Sequence, residues 1–153
     1  VAKLAPTKDE ETPMKTLLAA AALCLLPLAA HAQTTPITVW KGGAPVAGAP
    51  PANFGSHTMS QSRRDKDGLA ELHKVMTDVM VIQKGAAVLH TGGEVVEPTE
   101  TAPNEVRGPS IKGGVRTPVA PGDIINIPAG TPHQFLVPAG GEVVYVFVKI
   151  PTK

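Results

Sequence analysis

From Gly55 to Lys153 no stretch has a helical period, and short runs of strand character alternate with turns. "HTMSQS" and "LAELHKV" flank "RRDKDG", in which Asp67-Gly68 is a strong hairpin signal. "DVMVIQ" and "AAVLHTG" flank Lys84-Gly85, a second tight turn. "GGEVVEP" follows, then a Pro/Gly-rich excursion from Pro98 to Gly114, and "VRTPV", "DIINI", "HQFLV" and "EVVYVFVKI" complete the series. Short strands at this spacing predict an all-β sandwich or barrel. The last strand is apolar at both parities, which predicts a central position or cover on both faces.

The N-terminal part is built differently. From Met14 it reads "MKTLLAAAALCLLPLAAHAQ", with Lys15, an uncharged apolar run from Leu17 to Ala30, and then Ala30-His31-Ala32. This is the pattern of a secretory signal peptide over residues 14–32, with cleavage expected after Ala32 and a periplasmic or secreted destination. The apolar run is too short to span a bilayer, no later segment is longer, and Pro27 argues against a buried core helix. Residues 1–13 are expected to precede the natural start. Cys24 follows Leu23 inside the apolar run, which is not where a lipoprotein signal carries its cysteine. Removal of the signal leaves no cysteine, so disulfides and thiol chemistry are excluded.

Residues 33–54 are rich in Pro, Gly and Ala and read as an extended arm with Trp40 as its anchor, leaving 55–153 for the barrel. From Gln33 onward eleven Lys and Arg stand against ten Asp and Glu, without clustering. That balance offers no surface for nucleic acid or, after signal cleavage, for a membrane. No Ser-His-Asp order, phosphate loop or nucleotide motif occurs.

One segment is more specific. Residues 122–135, "GDIINIPAGTPHQF", run as a strand that Pro128 ends and Gly130 turns, so that the next strand begins with His133. Gly122, Pro128, Gly130 and His133 fit G-x5-P-x-G-x2-H, which resembles the second signature of the cupin superfamily. Upstream, Glu71-x-His73-x4-Asp78-x6-Gly85 resembles the first signature, altered at three places. Glu71 stands where the first histidine would be, Asp78 replaces glutamate, and Asp65 replaces the leading glycine. The wider text is similar to a group of small exported bacterial cupins without an established activity. The resemblance implies a single jelly-roll, or double-stranded β-helix, barrel that pairs as a homodimer.

It also implies a site for one divalent metal ion (iron, manganese, nickel or zinc) held by His73, His133, Asp78 and Glu71. Glu71 and His73 are two apart on one strand and so share a face. Shortening glutamate to Asp78 retracts the carboxylate by on the order of 1.5 Å. Asp78 could therefore miss the ion while Glu71 takes its place. Glu71 has a competing role, because an arginine is expected opposite it: Arg64 if Asp67-Gly68 form a two-residue turn, Arg63 if the loop is one residue longer. Two histidines and a carboxylate leave coordination positions open for solvent or a small-molecule ligand.

His90, His57, Arg64 and Phe135 are the candidate residues for binding that ligand. His90 sits in an alternating strand whose parity could direct it inward, with an exposed strand histidine as the competing reading. His57 precedes the first barrel strand and could reach the same mouth. Two function classes remain. One is a metal-dependent cupin acting on a small molecule, with no residue assigned as catalytic; the other is a ligand-binding or structural cupin without metal.

Overall fold

The computed structural model describes Val1, residues 37–45 and residues 49–152; all but Val1 fall in one compact unit, Thr35–Lys153. The expected signal peptide, most of the extension before it and His31 lie outside the described residues. A short 3-10 turn (Lys41–Gly43) is followed by β1 (Ala52–Asn53), β2 (Thr58–Arg64), β3 (Ala70–His73), β4 (Met76–Gly85) and β5 (Ala87–Thr91). Then come β6 (Glu94–Val95), β7 (Thr99–Ala102), β8 (Glu105–Gly108) and β9 (Ile111–Lys112). β10 (Val115–Val119), β11 (Ile124–Ile127), β12 (His133–Leu136) and β13 (Val143–Pro151) complete the chain. All pairings are antiparallel. The strands sort into a five-stranded sheet, β1-β2-β13-β4-β11, a six-stranded sheet, β10-β5-β12-β3-β8-β7, and a small β6-β9 ladder.

The expected hairpin at Asp67-Gly68 and the tight turn at Lys84-Gly85 are both crossings from one sheet to the other. β2 pairs with β13, whereas β3 pairs with β12 and β8. Residues 65–69 are held by the opposite sheet instead, with Val137 N donating to Asp67 Oδ1 (2.7 Å) and Gly68 N to Phe135 O (2.9 Å). At the second crossing Gly85 has φ +75°, and a Cβ there would lie 1.8 Å from the Glu142 carbonyl oxygen. Turn residues fix a reversal of direction, not the partner of the strand that follows. Here β13 takes β2 and β4 on its two sides, in the central position its two-sided apolarity predicts.

Two other expectations need adjusting. The excursion from Pro98 to Gly114 holds the β7–β8 hairpin, whose turn places Asn104 at φ +66°, a conformation asparagine tolerates. β8 then lies alongside β3. The end of the expected arm forms β1, with Ala52 opposite Met59 and Asn53 opposite Thr58. Further back, the Gly43 carbonyl accepts from Gln83 Nε2 at 2.7 Å and ties the arm to the β4 sheet.

Alternation along two neighbouring strands positions the site. Across β13 and β4, Tyr145 faces Ile82, Phe147 faces Met80 and Lys149 faces Asp78. Both strands therefore run from apolar to charged in the same direction. The apolar end belongs to a core of Met80, Ile82, Leu89, Phe135, Val143 and Tyr145 with their neighbours, in which the Phe135 and Tyr145 rings lie 4.6 Å apart. Ile82 and Val143 are fully buried, each worth about 1.5–3 kcal/mol. The charged end is the barrel mouth.

Candidate metal centre

Four strands deliver the charged end. β3 carries Glu71 and His73, β12 begins at His133 directly opposite Glu71, β4 contributes Asp78, and β13 contributes Lys149. The Pro128–Gly130 turn is pinned by Gly130 N donating to the His73 carbonyl at 2.8 Å, so the approach to β12 is fixed on the residue that His133 joins. The two imidazole rings lie 5.2 Å apart.

Each histidine turns one nitrogen outward and one inward. His73 Nδ1 meets Glu105 Oε2 at 2.5 Å, and His133 Nδ1 donates to the Thr131 carbonyl at 3.1 Å. With the ring protons held there, both Nε2 lone pairs point into the site. Outer partners of this kind fix the tautomer of ligating histidines. Asp78 Oδ2 lies 3.4 Å from His73 Nε2 and 3.7 Å from His133 Nε2, and Glu71 Oε2 lies 3.5 Å from His73 Nε2. Ligand atoms about 2.1 Å from one tetrahedral ion stand about 3.4 Å apart. Glu71, His73 and His133 bring one donor atom each within 4.8 Å of one another. His133 Nε2 is buried and has no hydrogen-bond partner among the described residues. The donor set therefore fits a divalent ion, with the orphaned nitrogen aimed at its place.

Glu71 reconciles the two roles expected of it by dividing its oxygens. Oε1 takes Arg64 Nη2 at 3.1 Å and Arg107 Nη1 at 2.6 Å, while Oε2 faces His73. Arg64 is the arginine that pairs; Arg63 turns instead to Asp65 and Glu142. Burial would raise the Glu71 carboxyl, but the charge and hydrogen bond of Arg107 hold it below the usual range. Asp78, 2% exposed, is lowered too, with the charge and hydrogen bonds of Lys149 set against burial. Burial pushes the His133 imidazole down and keeps it neutral.

His73 is pulled both ways. Burial lowers it, yet Asp78 and Glu71 outweigh burial and push it up to about 9. Against that, Lys149 Nζ lies 2.6 Å from Nε2, a contact in which the ammonium donates and Nε2 must be unprotonated. The same Nζ is 3.0 Å from both Asp78 oxygens. We take His73 as neutral in this arrangement, because a proton on Nε2 would set two cations 2.6 Å apart. The carboxylates demand a positive charge, and Lys149 meets that demand.

Glu105, Arg107 and Lys149 were not foreseen from sequence. Lys149 shares the parity of Tyr145 and Phe147, a usable signal. Glu105 and Arg107 reach the site only because β8 pairs with β3, which nothing in the excursion announces. Of the residues expected to bind a ligand, Arg64 lines a cavity of about 190 Å³ at the mouth, together with Ser62, Met80, Arg107, Tyr145 and Phe147. Phe135 lies deeper, against Tyr145 and beside His133. His90 is not brought to the site. Leu89 and Phe135 are the inward pair of their strands, so His90 faces the other side, where Nε2 meets the Gly113 carbonyl at 2.6 Å. His57 stacks on Phe54 at 5.0 Å and bonds Ser56, away from the cluster.

No family model matches the chain, and no curated protein matches it in sequence. Solved structures do. A protein with a double-stranded β-helix domain from Klebsiella pneumoniae aligns with TM-score 0.51 and 14% identity, over 78% of this chain and 93% of that one. Hydroquinone 1,2-dioxygenase from Sphingomonas sp. TTNP3, with 4-hydroxybenzoate bound, aligns with TM-score 0.50 and 16% identity, over 70% of each chain. A sugar phosphate isomerase of the cupin superfamily from Silicibacter pomeroyi aligns with TM-score 0.43 and 19% identity. The alignment covers 64% of this chain and only 52% of that one. The fold is thus an all-β double-stranded β-helix, the architecture that the two signatures imply.

Proposed function

We propose that this chain is a cupin that binds one divalent metal ion at the barrel mouth through His73, His133 and Glu71, with Asp78 as the further carboxylate, and receives a small molecule in the adjoining cavity. One observation carries the reading: buried His133 Nε2 has no hydrogen-bond partner among the described residues and points at the Asp78 and His73 donors. A buried polar atom left unpaired costs about 1–3 kcal/mol, so an occupant of its free side is expected. An ion there would supply Lewis acidity to an oxygen-bearing ligand. Around it, Arg64 and Arg107 hold Glu71 in orientation, Glu105 and the Thr131 carbonyl hold the imidazoles, and Phe147, Met80 and Tyr145 give the cavity an apolar wall. Export directed by residues 14–32 and a homodimeric working form belong to the same reading, checked by cell fractionation and light scattering.

The test is metal analysis of the untagged protein beside His73→Ala and His133→Ala variants. Near-stoichiometric metal in the wild type, lost in both variants, supports the site. No metal after reconstitution with iron(II), manganese(II), nickel(II) and zinc(II) sinks it. A second reading, a small-ligand-binding cupin without metal, is favoured by the Lys149 contacts, which satisfy Asp78 and His73 without an ion.

A further inference from the structure

Lys149 stands where the cation of the proposed centre would stand. Its Nζ is 2.6 Å from His73 Nε2 and 3.0 Å from both Asp78 oxygens, so it occupies the inward faces of two of the four donors. It is not a surface lysine that happens to reach in. Its inward parity on β13 follows Tyr145 and Phe147, Asp78 is its direct cross-strand partner, and the Phe147 ring lies 5.7 Å from Nζ. The side chain is 24% exposed, which leaves it a way out toward the cavity it lines.

We propose that Lys149 is a tethered cation that competes with the metal ion for Asp78 and His73, and so sets how tightly this site holds metal. The inference rests on the metal-binding reading above. An ion and the ammonium cannot both sit against His73 Nε2 and Asp78, because like charges at such separation repel strongly where solvent is scarce. Binding an ion therefore requires breaking the Lys149 contacts and swinging the ammonium into the cavity. The unpaired His133 Nε2 fits this arrangement: the Lys149 contacts go to His73 and Asp78 and leave it unsatisfied. An ammonium cannot serve four converging donors as an ion can, so the plug is incomplete.

The experiment is calorimetric titration of the full chain and its Lys149→Met variant with zinc(II) and with manganese(II), with thermal melts of both proteins with and without zinc. Methionine keeps the unbranched stem as far as the ε position and removes the ammonium. The variant is expected to bind at least tenfold tighter than the wild type, about 1.4 kcal/mol. It should also melt lower than the wild type without metal and gain more from zinc. If both proteins bind metal with equal affinity, or the variant binds more weakly, the competition is refuted while the metal site stands. If neither binds, the metal reading falls and this inference with it. Should Lys149→Met not fold without metal, Lys149→Gln replaces it, judged by the same affinity ratio.

Discussion

Lys149 and Asp78 face each other across β13 and β4, with Nζ 3.0 Å from both carboxylate oxygens and Asp78 2% exposed. Breaking a fully buried pair on one side costs about 3–5 kcal/mol, because the remaining charge has no partner. Lys149 is 24% exposed and can turn toward water, so Asp78→Ala should cost less, about 2–3 kcal/mol by denaturant unfolding. Removing both residues, in Asp78→Ala with Lys149→Met, should recover part of that loss. Measured beside both single variants, a double-mutant loss equal to the sum of the two single losses would mean the pair contributes no coupling.

Glu105 touches no candidate coordination position, yet it holds His73 by its outer nitrogen at 2.5 Å. Replacing it with glutamine keeps the shape and removes the charge that orients the ring. Glu105→Gln should fold as the wild type does and weaken zinc binding by about 10- to 100-fold, the usual cost of removing such a partner. Calorimetry gives the affinity and circular dichroism the fold. Unchanged affinity would place Glu105 outside the site's support.

Gly85 carries the chain from β4 to β5 with φ +75° against the Glu142 carbonyl. Gly85→Ala would suffer both the left-handed conformation and a backbone clash. It should destabilise the barrel by more than about 2 kcal/mol, read as a lowered melting temperature. Gly122→Ala is the control, since it also has positive φ (+98°) but meets nothing within 4 Å. Equal losses in the two would remove the clash from the explanation.

The parts of this fold that local rules govern were legible. Pro128 and Gly130 specify the turn before His133, period-two spacing puts Glu71 and His73 on one face, and the two-sided apolarity of β13 marks a central strand. What depends on the partner of a strand was not. Asp67-Gly68 signals a reversal equally for a hairpin and for a crossing, so the β2–β3 pairing was misassigned. Arg64 still reached Glu71, now across the barrel mouth rather than along a ladder. Glu105 and Arg107 come from a segment whose strands are short and polar, so no burial pattern reveals them. His90 failed for a related reason: alternation gives two faces, and only the Leu89–Phe135 pairing says which one is inward.

Burial keeps His133 neutral by lowering its pKa from the ordinary value near 6.5, and this fixes a pH dependence. Below about 6.5 the unfolded chain takes up a proton at this position that the folded chain refuses, so stability falls as pH drops. Above that value both states are neutral and the contribution is flat. Glu71 and Asp78 act in the same direction at lower pH, because their depressed pKa values stabilise the fold only while they stay ionised. Metal-free wild type and His133→Gln should therefore show a stability difference that is constant from pH 7 to 8 and shifts in favour of the variant toward pH 5. Thermal melts with a chelator present measure it. Parallel curves over the whole range would mean that His133 takes up its proton as readily in the fold as in the unfolded chain, so that burial does not keep Nε2 free for an ion.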